Sequence, residues 1–145
     1  MYFFTFSGGE CFVRPDLLEL WKKHHDCFFQ VYTNGTLLDD VTVGRLVKLG
    51  NVDPMVSVEG SREETDMRRG RGMYDRVMET FGRLSEAGLL FGFSATCTRS
   101  SADHIATDAF LEEMLDHGCK VGWFFQYIPT GDDPDLGYMA TPTQR

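Results

Sequence analysis

The amino-acid sequence predicts an α/β fold in which parallel β-strands alternate with α-helices. Five apolar, β-favouring runs begin near residues 2, 28, 55, 90 and 121, so that successive runs start 26 to 35 residues apart. This spacing is typical of a β-strand followed by a crossover helix and its connections. The runs are continuously apolar rather than alternating, which is typical of strands buried on both faces of a parallel sheet. Two architectures satisfy these observations: an open doubly wound sheet and a part of a (β/α) barrel.

Each predicted strand ends where β-favouring residues give way to turn-forming ones. The aromatic run at the start of the chain stops at Ser7-Gly8-Gly9, and the second run stops at Thr33-Asn34-Gly35. Pro129 stops the fifth run because proline lacks an amide hydrogen for the sheet. The predicted strands cover residues 2–6, 28–32, 55–58, 90–96 and 121–128.

Four crossover helices are predicted from apolar residues that recur at three and four positions. Pro15 suits the first turn of the first helix, Asp39 or Asp40 can cap the second, and Asp103 can cap the fourth. The charged segment Ser61 to Gly72 is predicted to be a solvated loop. The predicted helices lie within residues 15–25, 39–50, 74–88 and 103–118.

Composition indicates one globular domain. The 145 residues carry 14 basic and 22 acidic side chains, for a formal charge of −8, and 42% of the residues are hydrophobic. A nucleic-acid partner is not expected, because binding to phosphates needs a basic face. A membrane partner is not expected either, since no segment approaches the roughly 18 uninterrupted apolar residues of a transmembrane helix. The four cysteines, at positions 11, 27, 97 and 119, lack the spacing of a zinc site or a disulfide framework, which favours free thiols and a cytoplasmic location.

Functional residues are expected where the strands end, because parallel α/β folds bind ligands at the carboxyl ends of their strands. Glycines there let a ligand approach the backbone, and Ser, Thr and Glu side chains can bind amino, carboxylate and ribose groups. Alone, this pattern predicts only a site for a polar small molecule. The five ends are Ser7-Gly8-Gly9-Glu10, Thr33-Asn34-Gly35-Thr36, Ser57-Val58-Glu59-Gly60, Thr96-Cys97-Thr98-Arg99 and Tyr127-Ile128-Pro129-Thr130-Gly131.

Taken in order, these segments resemble the radical S-adenosylmethionine (radical SAM) superfamily, most of all the branch with peptide-modifying and molybdenum-cofactor-type members. The resemblance runs from about Phe4 to Gly131 and implies an α/β partial (β/α) barrel. This chain would supply strands two to six of six, as five parallel strands with four crossover helices. The family usually has proline where Cys11 stands. The motifs that carry the resemblance are Ser-Gly-Gly-Glu, Thr-Asn-Gly-Thr-Leu-Leu, Val-Ser-Val-Glu-Gly, Arg-Gly-x-Gly-x-Tyr-Asp and Tyr-x-Pro-x-Gly.

The cluster motif that defines this family, Cys-x3-Cys-x2-Cys, does not occur in the sequence. None of the four cysteines has the spacing to replace it, so no metal ligand is assigned. We therefore expect a partial, amino-terminally truncated radical SAM core domain in residues 1–131. The polar tail in residues 132–145 is expected to lead into a missing carboxyl-terminal part.

The resemblance implies roles for individual residues toward the cofactor S-adenosylmethionine. Gly8, Gly9 and Glu10 would hold the amino group of its methionine through backbone carbonyls and the carboxylate. Ser57 would bind its ribose or carboxylate side, with Glu59 close by on the same strand face.

Four further positions follow from the same resemblance. Arg69 is expected to pair with the cofactor carboxylate, because a guanidinium and a carboxylate can form two parallel hydrogen bonds, although its neighbours at positions 68 and 71 are alternatives. Thr96 and Tyr127 would border the adenosine. Thr33 and Asn34 point toward the place where the family holds its substrate.

The implied activity uses S-adenosylmethionine next to a [4Fe-4S] cluster to generate a 5′-deoxyadenosyl radical, which takes a hydrogen atom from an unknown small molecule or peptide. An electron donor such as flavodoxin or ferredoxin is an implied partner. Without the cluster cysteines, this chain alone is expected to be inactive. The alternative is a cluster-free, degenerate or split homologue that acts as a binding module for S-adenosylmethionine or a nucleotide. A self-contained doubly wound nucleotide-binding domain would carry GxGxxG after its first strand, and the segment from Ser7 to Cys11 does not match that motif.

Overall fold

The computed structural model describes residues 2–145 and contains one sheet of five parallel strands. The strands follow one another across the sheet in the order in which they occur along the chain. A doubly wound sheet reverses its strand order at a switch point, so the sequential order favours the barrel architecture. The strands are β1 (Tyr2–Phe6), β2 (Cys27–Thr33), β3 (Val52–Ser57), β4 (Gly92–Cys97) and β5 (Val121–Gln126).

The sheet is curled into half a barrel. Tyr32 on β2 and Phe125 on β5 have ring centroids 5.4 Å apart, although β3 and β4 lie between their strands. In a flat sheet the two strands would be separated by roughly 14 Å. The predicted partial (β/α) barrel is therefore confirmed.

Within residues 2–145, six α-helices connect the strands, two more than predicted. The segment predicted to be a solvated loop forms a helix, because Ser61 and Glu64 each accept a hydrogen bond from the other's backbone N–H in a capping box. The helix predicted to begin at Asp103 is divided in two, since the Thr107 side chain caps a new helix by accepting from the Phe110 N–H. Within residues 2–145, none of the helices is both long and apolar enough to cross a membrane. The helices are α1 (Asp16–Lys23), α2 (Asp40–Leu49), α3 (Arg62–Arg69), α4 (Met73–Glu86), α5 (Ala102–Ile105) and α6 (Asp108–Asp116).

Three strand boundaries also differ from the prediction by two residues or more. Strand β4 begins at Gly92, two residues after the predicted start. Strand β3 begins at Val52, three residues before the predicted start. The prediction left out Asp53 and Pro54 because aspartate and proline are unfavourable in strands, but this buried strand contains both. Strand β5 ends at Gln126, two residues before the predicted end.

The outer face of the sheet packs against the helices and forms the hydrophobic core. Trp21 of α1 is fully buried, and the rings of Phe6, Phe12 and Phe29 lie within 6.4 Å of it. Burial of each such side chain contributes about 1.5–3 kcal/mol. This packing fixes α1 against β1 and β2, and with it the loop that follows β1.

The inner face of the curled sheet is more polar. Because side chains alternate along a strand, Asp53 and Ser57 share this face of β3, and the register places Gln30 of β2 and Ser94 of β4 beside them. Strand β4 meets β5 very closely at Gly92, where a Cβ would overlap the Val121 carbonyl. The inner face thus combines polar side chains with closely packed strands.

The carboxyl-terminal residues pack on the rim at the end of β4. Met139 forms a bridge with Thr98, and the Arg99 N–H donates to the Tyr138 carbonyl over 2.9 Å. Ala140 is buried. The end of the described chain therefore covers the carboxyl end of β4.

Asp53 gives the stability of this fold a dependence on pH. Burial raises the pKa of the Asp53 carboxyl from 3.8 to about 6, and the neighbouring Gln30 amide lowers it only in part. Because the pKa of Asp53 is higher in the folded protein than in the unfolded chain, the folded protein is favoured when this carboxyl is protonated. This stabilisation is fully present below about pH 4 and is lost as the pH rises through about 6.

We expect Asp53→Asn to remove this loss, because asparagine does not ionise. The variant should be more stable than the parent by about 2–3 kcal/mol at pH 8 and similar to it at pH 4, as measured by urea unfolding. Asp133→Asn, at an exposed position, is the control and should leave the pH profile unchanged. A parent and an Asp53→Asn variant with parallel pH profiles would show that the expectation is wrong.

Candidate functional site

A cavity of about 270 Å³ opens where β1, β2 and β3 end. The structure brings seven of the ten residues assigned from the sequence into its wall and adds Tyr32. The sequence could have indicated Tyr32 as a site residue, because it immediately precedes Thr33 and Asn34 at the end of a predicted strand. A larger surface groove of about 730 Å³ lies between α1 and α2, but no strand end contributes to it. The cavity is lined by Gly8, Gly9, Glu10, Tyr32, Thr33, Asn34, Ser57 and Arg69.

Glu10 is fixed at the cavity by three hydrogen bonds. Its Oε1 accepts from the Thr33 hydroxyl over 2.8 Å and from the Phe12 N–H over 3.1 Å, and its Oε2 accepts from the Asn34 N–H over 2.9 Å. These bonds join the loop after β1 to the end of β2. Because Oε2 receives a single hydrogen bond from residues 2–145, it retains the capacity to accept one from an ammonium group.

Gly8 and Gly9 leave open backbone beside this carboxylate. Gly8 has a φ of +129°, a conformation that favours glycine, and a Cβ at either position would meet no atom within 4 Å. A ligand can therefore approach the main chain of both residues closely.

Glu59 lies next to the cavity wall as a buried carboxylate with only 1% of its surface exposed. Its Oε1 accepts from Nε and Nη2 of Arg69, and its Oε2 accepts from Nη1 of Arg68 over 2.7 Å. Oε2 also accepts from the Thr96 N–H over 3.1 Å, and the Glu59 N–H donates to the Thr65 hydroxyl. Glu59 thus holds the middle and the carboxyl end of α3 and the end of β4 together.

This network changes what two of the predicted residues do in the structure. Glu59 was expected to bind the cofactor close to Ser57, but both of its carboxylate oxygens are engaged by Arg68, Arg69 and Thr96. Arg69 was expected to face the cofactor carboxylate; it lines the cavity while its Nε and Nη2 bind Glu59. Its Nη1 has no partner within residues 2–145, so the guanidinium can donate further hydrogen bonds into the cavity.

Ser57 and Tyr127 occupy different surroundings. The Ser57 hydroxyl lies 3.2 Å from the Ser94 hydroxyl and lines the cavity. Tyr127 lies outside the cavity wall and packs its ring against Tyr138, with centroids 5.5 Å apart. Thr96 is also outside the wall.

The cysteine nearest the cavity is not activated. Burial raises the pKa of the Cys11 thiol, and the negative charge of Glu10 raises it further. A thiol of this kind is a poor nucleophile, since the thiolate is the reactive form. Within residues 2–145, no three His, Cys, Asp or Glu side chains are placed to hold a metal ion.

The arrangement at the cavity suits a zwitterionic amino-acid group. Open backbone at Gly8 and Gly9 and a spare acceptor on Glu10 can bind an ammonium, and the free edge of Arg69 can bind a carboxylate. Glu59 determines the position of that guanidinium.

We expect Glu59→Gln to destabilise the fold by about 3 kcal/mol, because two guanidinium groups lose their buried counter-charge. The change should lower the midpoint of guanidinium chloride unfolding. Asp75→Asn is the matched control, since it breaks an ion pair with Arg62 that is more than half exposed on both sides. This control should cost less than about 1 kcal/mol. Equal effects of the two substitutions would contradict the role of Glu59.

The sequence matches the radical SAM superfamily over residues 2–117. It is 32% identical over 129 residues to the AdoMet-dependent heme synthase of Methanosarcina barkeri, which covers 86% of this chain and 36% of that protein. It is 28% identical over 147 residues to the mycofactocin maturase MftC of Mycolicibacterium smegmatis, which covers 99% of this chain and 37% of that protein. The chain thus spans less than two-fifths of the length of these curated relatives.

A solved structure of native anSMEcpe with bound AdoMet and the Kp18Cys peptide has the same fold. It is 19% identical and superposes with a TM-score of 0.75 over 98% of this chain and 42% of that one. The five sequential parallel strands are therefore those of a radical SAM partial barrel. Because the family match extends over most of its length, the chain belongs to the radical SAM superfamily.

Proposed function

We propose that this chain is the S-adenosylmethionine-binding part of a radical SAM enzyme. The observation that carries the proposal is the cavity at the strand ends, where open glycine backbone, the spare acceptor of Glu10 and the free edge of Arg69 converge. These groups fit the ammonium and the carboxylate of the methionine part of the cofactor.

Each wall of the cavity has its own task in this proposal. The carbonyls of Gly8 and Gly9, with Glu10, hold the ammonium, and the Arg69 guanidinium holds the carboxylate. Ser57 binds the ribose or carboxylate side. Glu59 does not contact the cofactor; it orients Arg69, since both of its oxygens are occupied within the protein.

The iron-sulfur cluster of the family does not fit the residues present here. No suitable set of ligands occurs within residues 2–145, and the four cysteines are free and dispersed. We propose that the cluster ligands belong to a part of the enzyme outside this sequence. With S-adenosylmethionine held beside such a cluster, the whole enzyme would supply a 5′-deoxyadenosyl radical for hydrogen abstraction from its substrate.

The inner face of the half-barrel is the place we propose for the substrate. The rings of Tyr32 and Phe125 meet across it and give the space next to the cavity an aromatic surface, of which Phe125 is 44% exposed and available to a substrate. We favour a peptide substrate, because β5 is an unpaired edge in the described sheet and could pair with an extended chain. Two solved structures of similar fold contain a bound peptide, anSMEcpe with the Kp18Cys peptide and Streptococcus suis SuiB with the precursor peptide SuiA, which supports this choice.

The surroundings of the enzyme follow from the same proposal. Radical chemistry of this class needs an electron donor such as flavodoxin or ferredoxin. Four free cysteines favour a reducing compartment, so we propose a cytoplasmic location.

Gly9→Val tests the cofactor site directly. The Gly9 backbone has room for a side chain, so the fold should tolerate valine, which would fill the space that the methionine ammonium needs. We expect the affinity for S-adenosylmethionine, measured by isothermal titration calorimetry on the full chain, to fall by about tenfold or more, equivalent to about 1.4 kcal/mol.

Gly44→Val in α2 is the matched control, because Gly44 is also uncrowded and lies away from the cavity. It should leave the affinity unchanged. If the unmodified chain fails to bind S-adenosylmethionine, or if Gly9→Val binds it as tightly as the parent, the proposed function is wrong.

A further inference from the structure

Asp53 is a buried carboxyl group without a counter-charge. It lies on the inner face of β3 with 2% of its surface exposed, and its Oδ1 has no hydrogen-bond partner within residues 2–145. The ion pairs of these residues all involve other carboxylates. Buried carboxylates are normally paired or hydrogen-bonded, because burial of an unpaired charge is costly. The lack of a counter-charge, and of a partner for Oδ1, is therefore the least expected feature of the inner face.

Polar groups connect this carboxyl to the cofactor cavity. Gln30 is the register partner of Asp53 on β2 and is itself buried. The Tyr32 hydroxyl donates to the Gln30 Oε1 over 3.4 Å, and Tyr32 also lines the cavity. Tyr32 and Gln30 therefore link Asp53 to the proposed cofactor site.

The surroundings indicate which chemical group would complete the site. A carboxylate only accepts hydrogen bonds, and a cationic nitrogen is the donor that best offsets its burial. The rings of Tyr32 and Phe125 meet across the half-barrel on the same face as Asp53, and aromatic faces stabilise a nearby cation.

We propose that Asp53, with Gln30 beside it, anchors a positively charged nitrogen of the substrate inside the half-barrel. The chemical class is a protonated amine or a guanidinium, as on a lysine or arginine side chain. This inference rests on the proposed function, because it places the substrate on the inner face next to the cofactor cavity.

The test uses the full chain with ¹³C-labelled aspartate carboxyl groups, titrated with n-butylamine at pH 7.5. At this pH the probe is protonated and Asp53, with a pKa of about 6, is ionised. We expect n-butylamine to shift the Asp53 carboxyl signal in NMR spectra and n-butanol, its neutral counterpart, to leave it in place. Asp53→Asn should weaken amine binding, followed through the Tyr32 and Phe125 ring signals, by about tenfold or more.

Asp133→Asn is the matched control and should bind the amine like the parent. The tripeptide Gly-Lys-Gly, compared with its norleucine counterpart, distinguishes a peptide side chain from a free amine as the source of the cation. Binding of S-adenosylmethionine is measured on the same samples. An Asp53 signal that neither amine probe shifts, in a chain that binds S-adenosylmethionine, would overturn this inference and leave the proposed function intact. Loss of cofactor binding by the parent would overturn the proposed function instead.

Discussion

The buried carboxylate of Glu59 is the interaction on which the cofactor side of the rim depends. Taking a carboxylate out of water costs several kcal/mol, and two guanidinium groups and a backbone N–H offset that cost here. Because Arg68 and Arg69 come from the last turn of α3 and Thr96 from the end of β4, one side chain determines the relative positions of two elements. The free edge of Arg69 is consequently aimed at the cavity before any ligand arrives, which lowers the entropic cost of binding.

The two faces of the sheet have different roles: the outer face stabilises the fold, and the inner face carries polar groups. The outer face packs Trp21, Phe29 and their neighbours against the helices and supplies the stability of the fold. The inner face has Gln30 and Asp53 at positions that an all-apolar core would fill more favourably. A stable outer layer allows the inner layer to keep such costly groups, and their retention is what a binding surface requires.

Much of this arrangement could be predicted from the sequence. Apolar runs identified the five strands, and the rule that parallel strands end at one edge placed Gly8, Glu10 and Ser57 in one region. Helix α3 was not predicted, because its charged residues carry no apolar stripe, although Ser61 and Glu64 have the spacing of a capping box. The capping box was the one feature of the sequence that could have predicted this helix.

The rest depends on geometry that local patterns do not contain. Glu59 reaches Arg68 and Arg69 only because α3 turns back along the strand end. The approach of Tyr32 to Phe125 depends on the curl of the sheet, which brings β2 and β5 together. Neither the period of the apolar residues nor the motif spacing specifies that curl.

The most direct measurement is a titration of the ¹⁵N-labelled chain with S-adenosylmethionine, followed through its backbone amide resonances. The account predicts saturable shifts concentrated at Gly8, Gly9, Asn34 and Ser57, at the carboxyl ends of three strands. Shifts confined to the groove between α1 and α2, for example at Leu18 and Leu49, or no shifts at all, would contradict it.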